Sequence, residues 1–140
     1  MAKPAKTTIL EQLAAIALSL PEASQELHHD HASFLVRRKV FGYFLNNHHG
    51  DGIVAIACKV LPGDNAVLVK NDPERFCLPA YIASRGWVSF RLDKDPVDWD
   101  EVRDLLTGSY VLVAPKKLAD AVQTSPGFAE DGTVRKRLGG

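Results

Sequence analysis

The sequence predicts an α+β domain built on an antiparallel sheet of about five strands, in the order α-β3-α-β2-α, and three observations carry the prediction. Apolar residues fall at helical spacing from Ile9 to Leu20 and again from Trp99 to Tyr110. Between these segments, from Ser33 onward, the period drops to two in runs bounded by glycine, proline and asparagine. The first three runs are joined by connections too short for a crossover, so they pair antiparallel.

The first helix is predicted over Thr8 to Ser19, with Thr7 or Thr8 as N-cap and Glu11 in the capping-box position for Thr8. Ile9, Leu13, Ile16, Ala17 and Leu20 share one face, and Pro21 stops the helix because its ring clashes with the preceding turn. In the hairpin that follows, Phe34 and Val36 point one way and Leu35 and Arg37 the other, and Val40 to Leu45 returns after Arg38-Lys39. A polar, glycine-rich stretch from Asn46 to Gly52 leads into a third strand, Ile53 to Val60.

Pro62, Gly63 and Asp64 end that strand and open a short helix, Asn65 to Lys70, with Asp64 as its N-cap and a further turn over Pro73 to Phe76. Leu78 to Ile82 is read as an irregular edge strand carrying Pro79, and Trp87 to Leu92 as a half-buried strand opened by Gly86. Asp98 and Glu101 form a capping box for the last long helix, whose stripe is Trp99, Val102, Leu105, Leu106 and Tyr110. Gly108 and Ser109 weaken it near its end, and Pro115 breaks it or begins a last short helix to Val122.

With 140 residues, 46% of them hydrophobic, the chain supports one domain over residues 1–122, with a flexible basic arm over 1–7 and a loose tail over 123–140. Seventeen basic residues balance 17 acidic ones, so any attraction to nucleic acid must be local. Cys58 and Cys77 are isolated in apolar stretches, which suits free thiols in a reducing compartment. No run has the length of a signal peptide or a membrane span, so a cytoplasmic location without membrane contact is expected.

An ordered set of segments resembles the MmcQ/YjbR-like proteins: Leu20-Pro21-Glu22, His31, Ser33 to Val36, Lys39-Val40-Phe41, Cys58-Lys59-Val60, Gly86 to Leu92, and Val113 to Leu118. The resemblance runs from about Ile9 to Ala121. It implies a two-layer domain, helices on one face of the sheet, related in shape to frataxin and secretion-chaperone folds. It also implies the label that such proteins often carry, DNA-binding.

Between Ser33 and Arg91 eight basic residues (Arg37, Arg38, Lys39, Lys59, Lys70, Arg75, Arg85, Arg91) face four acids (Asp51, Asp64, Asp72, Glu74). A hairpin tip at Arg37 to Lys39, extended by Lys59, Arg85 and Arg91 if these share its face, would hold phosphates without reading sequence. The plainer reading is a solvated tip whose charges discourage edge-to-edge association.

Six acids lie between Asp93 and Asp104 (Asp93, Asp95, Asp98, Asp100, Glu101, Asp104), where they suit helix capping and the macrodipole better than a divalent cation, although the frataxin-like shape makes iron worth naming. His28, His29, His31, His48 and His49 have no zinc-site spacing, and neighbouring histidines on a strand point to opposite faces. His31 also stands at a position the resemblance makes interesting, with a polar cap at the strand start as the plainer role. No nucleophile elbow, phosphate loop or local cysteine signature is present, so the chain is expected to be a binding module, without catalysis, metal or cofactor. Two functions remain open: weak, non-specific nucleic-acid binding, and an adaptor that takes a protein or small ligand on an exposed apolar sheet face. The expected state is a monomer or a weak dimer.

Overall fold

Thr8 caps the first helix, α1 (Ile9–Ala17), in the expected capping box: its hydroxyl accepts from the Glu11 amide at 3.0 Å, and Glu11 Oε1 accepts from the Thr8 amide at 2.9 Å. The helix ends two residues earlier than predicted, because the amides of Ser19 and Leu20 bond three residues back, to Ile16 and Ala17, and tighten the last turn. The computed structural model describes residues 8–29, 31–46, 52–79, 82–94 and 96–123. The expected arm and almost all of the tail, together with His48, His49, Tyr81 and Asp95, lie outside these.

The sheet has six strands, one more than expected: β1 (Ala23–His28), β2 (His31–Val36), β3 (Lys39–Asn46), β4 (Val54–Lys59), β5 (Phe76–Cys77) and β6 (Trp87–Arg91). Their order is β1-β2-β3-β4-β6-β5, antiparallel at every step. The added strand, β1, pairs with β2 residue for residue from Ala23 opposite Val36 to His28 opposite His31.

Alternation divides the sheet into two faces. Ala32, Phe34, Val36, Phe44, Ile56, Cys58, Val88 and Phe90 join Leu13, Ile16, Leu106 and Tyr110 of the helices in one buried cluster. Leu35, Ala55, Ala57 and Trp87 are buried on the opposite side and stand outside that cluster.

Between Phe34 and Leu35 the β2–β3 register shifts, so Phe41 is an extra residue on β3 and turns its ring to the helix side, edge-on to Tyr110 at 5.4 Å. Here a helix completes the sheet. Ser109 Oγ donates to the Phe41 carbonyl (2.7 Å) and accepts from the Lys59 amide (2.8 Å), bridging β3 and β4 just past their last paired residues, Gly42 and Cys58. Ser109→Ala strands both backbone groups and is expected to cost about 2–3 kcal/mol in urea unfolding, well beyond an ordinary serine truncation.

Helix α2 (Asp64–Asn71) starts one residue earlier than predicted, with Gly63 at the cap (φ 87°) and Asp64 in the first turn. The described residues of Leu78 to Ile82 do not form the predicted strand. Phe76 and Cys77 pair with β6 instead, where the Phe76 ring packs on Phe90 at 5.1 Å; Leu78, Pro79 and Ile82 lie outside any strand. A 3₁₀ turn, Ala83–Arg85, then leads to Gly86 (φ 93°), where a Cβ would meet the Val60 carbonyl at 3.1 Å.

Helix α3 (Trp99–Val113) is capped by Asp98 as predicted, with the Glu101 carboxylate against Arg75 rather than closing the predicted box, and runs unbroken through Gly108 and Ser109. Ser109 marks its contact with the sheet rather than a weak end. After Pro115 the chain forms α4 (Lys116–Gln123). No helix among the described residues is long and apolar enough to cross a membrane.

Candidate nucleic-acid interface

Strand pairing decides which of the basic residues meet. Val36 faces Lys39 across the β2–β3 turn, Gly42 faces Cys58, Lys59 faces Trp87, and the Val60 amide bonds the Gly86 carbonyl at 2.8 Å. Arg37, Arg38, Lys39, Lys59 and Arg85 therefore stand at one end of the sheet. Arg91 does not join them: it lies opposite Ala55 at the far end of β6, about 13 Å from Trp87 at 3.3 Å per residue. There its guanidinium holds Asp93 through two bonds of 3.1 and 2.8 Å, which keeps the Asp93 carboxyl below its usual range.

The turn itself is strained. Arg37 (φ 51°) and Arg38 (φ 70°) are both left-handed, as a two-residue hairpin turn of this hand requires. Asn-Gly is the usual solution, and each L-residue with a Cβ loses about 1–2 kcal/mol there. Arg37 is held by Glu22, itself left-handed at φ 59°, with Nη2 to Oε2 at 3.0 Å and a second bond from Nε. That contact lowers the pKa of Glu22 and raises that of Arg37. Both side chains are about half exposed, so the pair adds little stability.

Among the described residues, no ion pair engages Arg38, Lys39, Lys59 or Arg85. Arg38, Lys39 and Arg85 are exposed and Lys59 half-buried. Trp87, beside Lys59 and 5.2 Å from the Tyr43 ring, is only 7% exposed, which leaves it little surface on which a base could stack.

One residue of this end escaped the sequence reading. Tyr110 donates to the Pro21 carbonyl at 2.6 Å, which docks the end of α3 beside Glu22, and Lys117 of α4 lies close enough to lower the pKa of Glu22 further. Lys116 and Lys117 occupy the first turn of α4, with no acid among its first residues, where the helix dipole disfavours cations. Lys116 is paired with Asp120 at 2.7 Å. Two carboxylates also stand at this end, Glu22 against Arg37 and Asp120 against Lys116.

The acids gather at the other end. Asp93, Asp98, Asp100, Glu101 and Asp104 surround the close of β6 and the start of α3, and α3, with its 15 residues, spans about 22 Å between the two poles. Glu101 is buried and meets Arg75 Nη1 at 3.3 Å, while Arg75 also binds Asp72 at 2.7 Å and lies over the Phe90 ring. A shallow groove of about 620 Å³ beside Arg75, lined by Glu74, Lys94, Val97 and Asp98, offers a cation whose charge is already met. Among the described residues no three of His, Cys, Asp and Glu converge as a metal site. His28 and His29 are exposed and His31 is half-buried. Cys58 is fully buried, and burial raises its thiol far above the ordinary range.

The model of the YjbR family matches residues 18–112, from the end of α1 to near the end of α3. The chain belongs to the YjbR family. Among solved structures, this YjbR chain resembles the Deinococcus radiodurans protein DR2400, which carries the DUF419 domain, with a TM-score of 0.60 and 22% identity over 95% of this chain and 88% of that one. At that identity the likeness concerns the fold. No curated protein matches the chain.

Proposed function

We propose that the basic end of this YjbR domain binds nucleic acid through phosphates, weakly and without sequence readout, using Arg37, Arg38, Lys39, Lys59 and Arg85, with Lys117 beside them. The observation that carries the reading is the Arg37-Arg38 turn. Two arginines occupy left-handed positions that smaller residues fill at lower cost, and Arg38 has no carboxylate partner among the described residues. Lys117, placed against the helix dipole, points the same way. Zero net charge does not oppose it, since Arg38, Lys39, Lys59 and Arg85 gather at one end, where no ion pair among the described residues engages them. Such contacts position a backbone and carry no base information.

The alternative, an adaptor with an exposed apolar sheet face, has less support among the described residues. Leu35, Ala55, Ala57 and Trp87 are all at most 8% exposed, and the exposed large apolar residues are spread over separate elements.

Fluorescence anisotropy with labelled single- and double-stranded 20-mers tests the proposal. Affinity should fall with salt at a log–log slope of about −4 for duplex, as four to five phosphate contacts require. Glu22→Gln should tighten binding about two- to fivefold, by releasing Arg37 and removing a negative charge beside the turn. Absence of binding at low salt, or indifference to Glu22→Gln, refutes the proposal.

A further inference from the structure

The two edges of the sheet are unlike. At one, β5 is two residues long and offers almost nothing to pair with. At the other, β1 presents six consecutive residues, Ala-Ser-Gln-Glu-Leu-His, and no described strand pairs with its outer side. Edge strands are ordinarily protected by lysine, proline, a bulge or brevity. β1 has none of these: its register with β2 is unbroken, its one formal charge is Glu26, and Leu27 is 63% exposed.

We propose that two copies of this chain pair β1 to β1, antiparallel about a two-fold axis, joining two six-stranded sheets into one. Self-pairing is favoured over an unrelated strand because the sequence of β1 is complementary to itself in one register. If the helix layers of both copies lie on the same side, residues facing each other across the junction must come from the same face of the strand. Centred on Gln25, this sets Ala23 against Leu27, Ser24 against Glu26, and Gln25 against its own copy. The serine hydroxyl then donates to the glutamate carboxylate, the two amides bond at the axis, and each exposed leucine covers the partner's alanine. Centred instead on Glu26, two carboxylates would oppose each other directly, which is destabilising.

The short β5 edge stops the sheet from growing further, so the assembly closes at two.

Sedimentation velocity of the full chain from about 5 to 500 μM, a range matched to micromolar association, reads the result. A concentration-dependent dimer is expected. Ser24→Lys places a cation against the partner's Glu26 and should tighten it about tenfold, whereas Gln25→Lys sets two cations together at the axis and should weaken it about tenfold or more. Both positions lie on the outermost strand, and thermal melts of the two variants verify that each remains folded. A monomer at every concentration overturns the proposal, including one that captures a different protein on β1. So does a dimer whose affinity the two substitutions fail to shift in opposite directions.

Discussion

Replacing Arg37-Arg38 with Asn-Gly is expected to make the protein more stable and a poorer ligand for nucleic acid. Both positions are left-handed, and Asn-Gly is the pair that this turn accepts with least strain. Relief of about 1–2 kcal/mol at the glycine, with a smaller gain at the asparagine, whose short polar side chain tolerates the left-handed region, is partly offset by the greater unfolded-state entropy of glycine, leaving a net gain of about 1 kcal/mol. Loss of the Glu22–Arg37 pair subtracts little, because both side chains are about half exposed. Binding moves the other way: with two of its cations removed, the basic end should lose about tenfold or more in affinity at low salt, and the salt slope should fall by about two. Denaturant unfolding and anisotropy titration of the same variant measure the two effects. A variant that gains stability and binds unchanged would reduce the turn to a solvated hairpin tip.

The largest expected loss of stability lies at Tyr110. Its side chain is fully buried, lies edge-on to Phe41, and reaches the Pro21 carbonyl. Tyr110→Ala should cost about 3–5 kcal/mol, the range for large aromatic truncations in a core. Tyr110→Phe keeps the ring and should cost about 1 kcal/mol for the lost hydrogen bond. The two variants separate packing from the hydroxyl.

The same phenol makes stability depend on alkaline pH. Burial raises its pKa above the ordinary value of 10.0, the Glu22 carboxylate adds to the shift, and Arg37 opposes it. Below pH about 10 the phenol is protonated in both folded and unfolded chains, and its contribution is complete. As pH rises further, the unfolded chain loses the proton first and is stabilised relative to the folded one, so stability falls through the raised folded pKa. Urea midpoints between pH 8 and 11 should therefore decline less steeply for Tyr110→Phe than for the unaltered protein. Equal slopes would show that the phenol ionises without cost in the folded state.

Much of this architecture is legible in the sequence because local chemistry and tertiary role agree. Thr8 with Glu11 and Asp98 at the head of α3 say the same thing at both levels, and Trp87–Arg91 is the predicted strand, although it is buried on both faces rather than half-buried. β1 was illegible for the opposite reason. Ala-Ser-Gln-Glu-Leu-His has no β-branched or aromatic residue, and it is extended because β2 supplies a partner for every position. The second edge was misplaced by one element, since the pairing of Phe76 and Cys77 with β6 leaves no trace in local propensity.

The basic end divides in the same manner. Arg37 to Lys39 can be read as a tip from the two runs that flank it. Alternation assigns Arg91 to a face, but a face is not an end, and only the β4–β6 register places it with Asp93. Lys117 depends on α3 folding back to Pro21, a contact 89 residues apart along the chain. No window of sequence contains it.

The Ser109 bridge also bears on the order in which the molecule assembles. The Phe41 carbonyl and the Lys59 amide gain their shared partner only after a serine 50 residues beyond Lys59 has arrived on a docked helix. The hairpins can zip early from their short turns, yet the sheet's last rung waits for the arrival of α3. The end of the sheet that carries the Arg37–Lys39 turn is thus tied to the docking of α3, which approaches from the opposite layer.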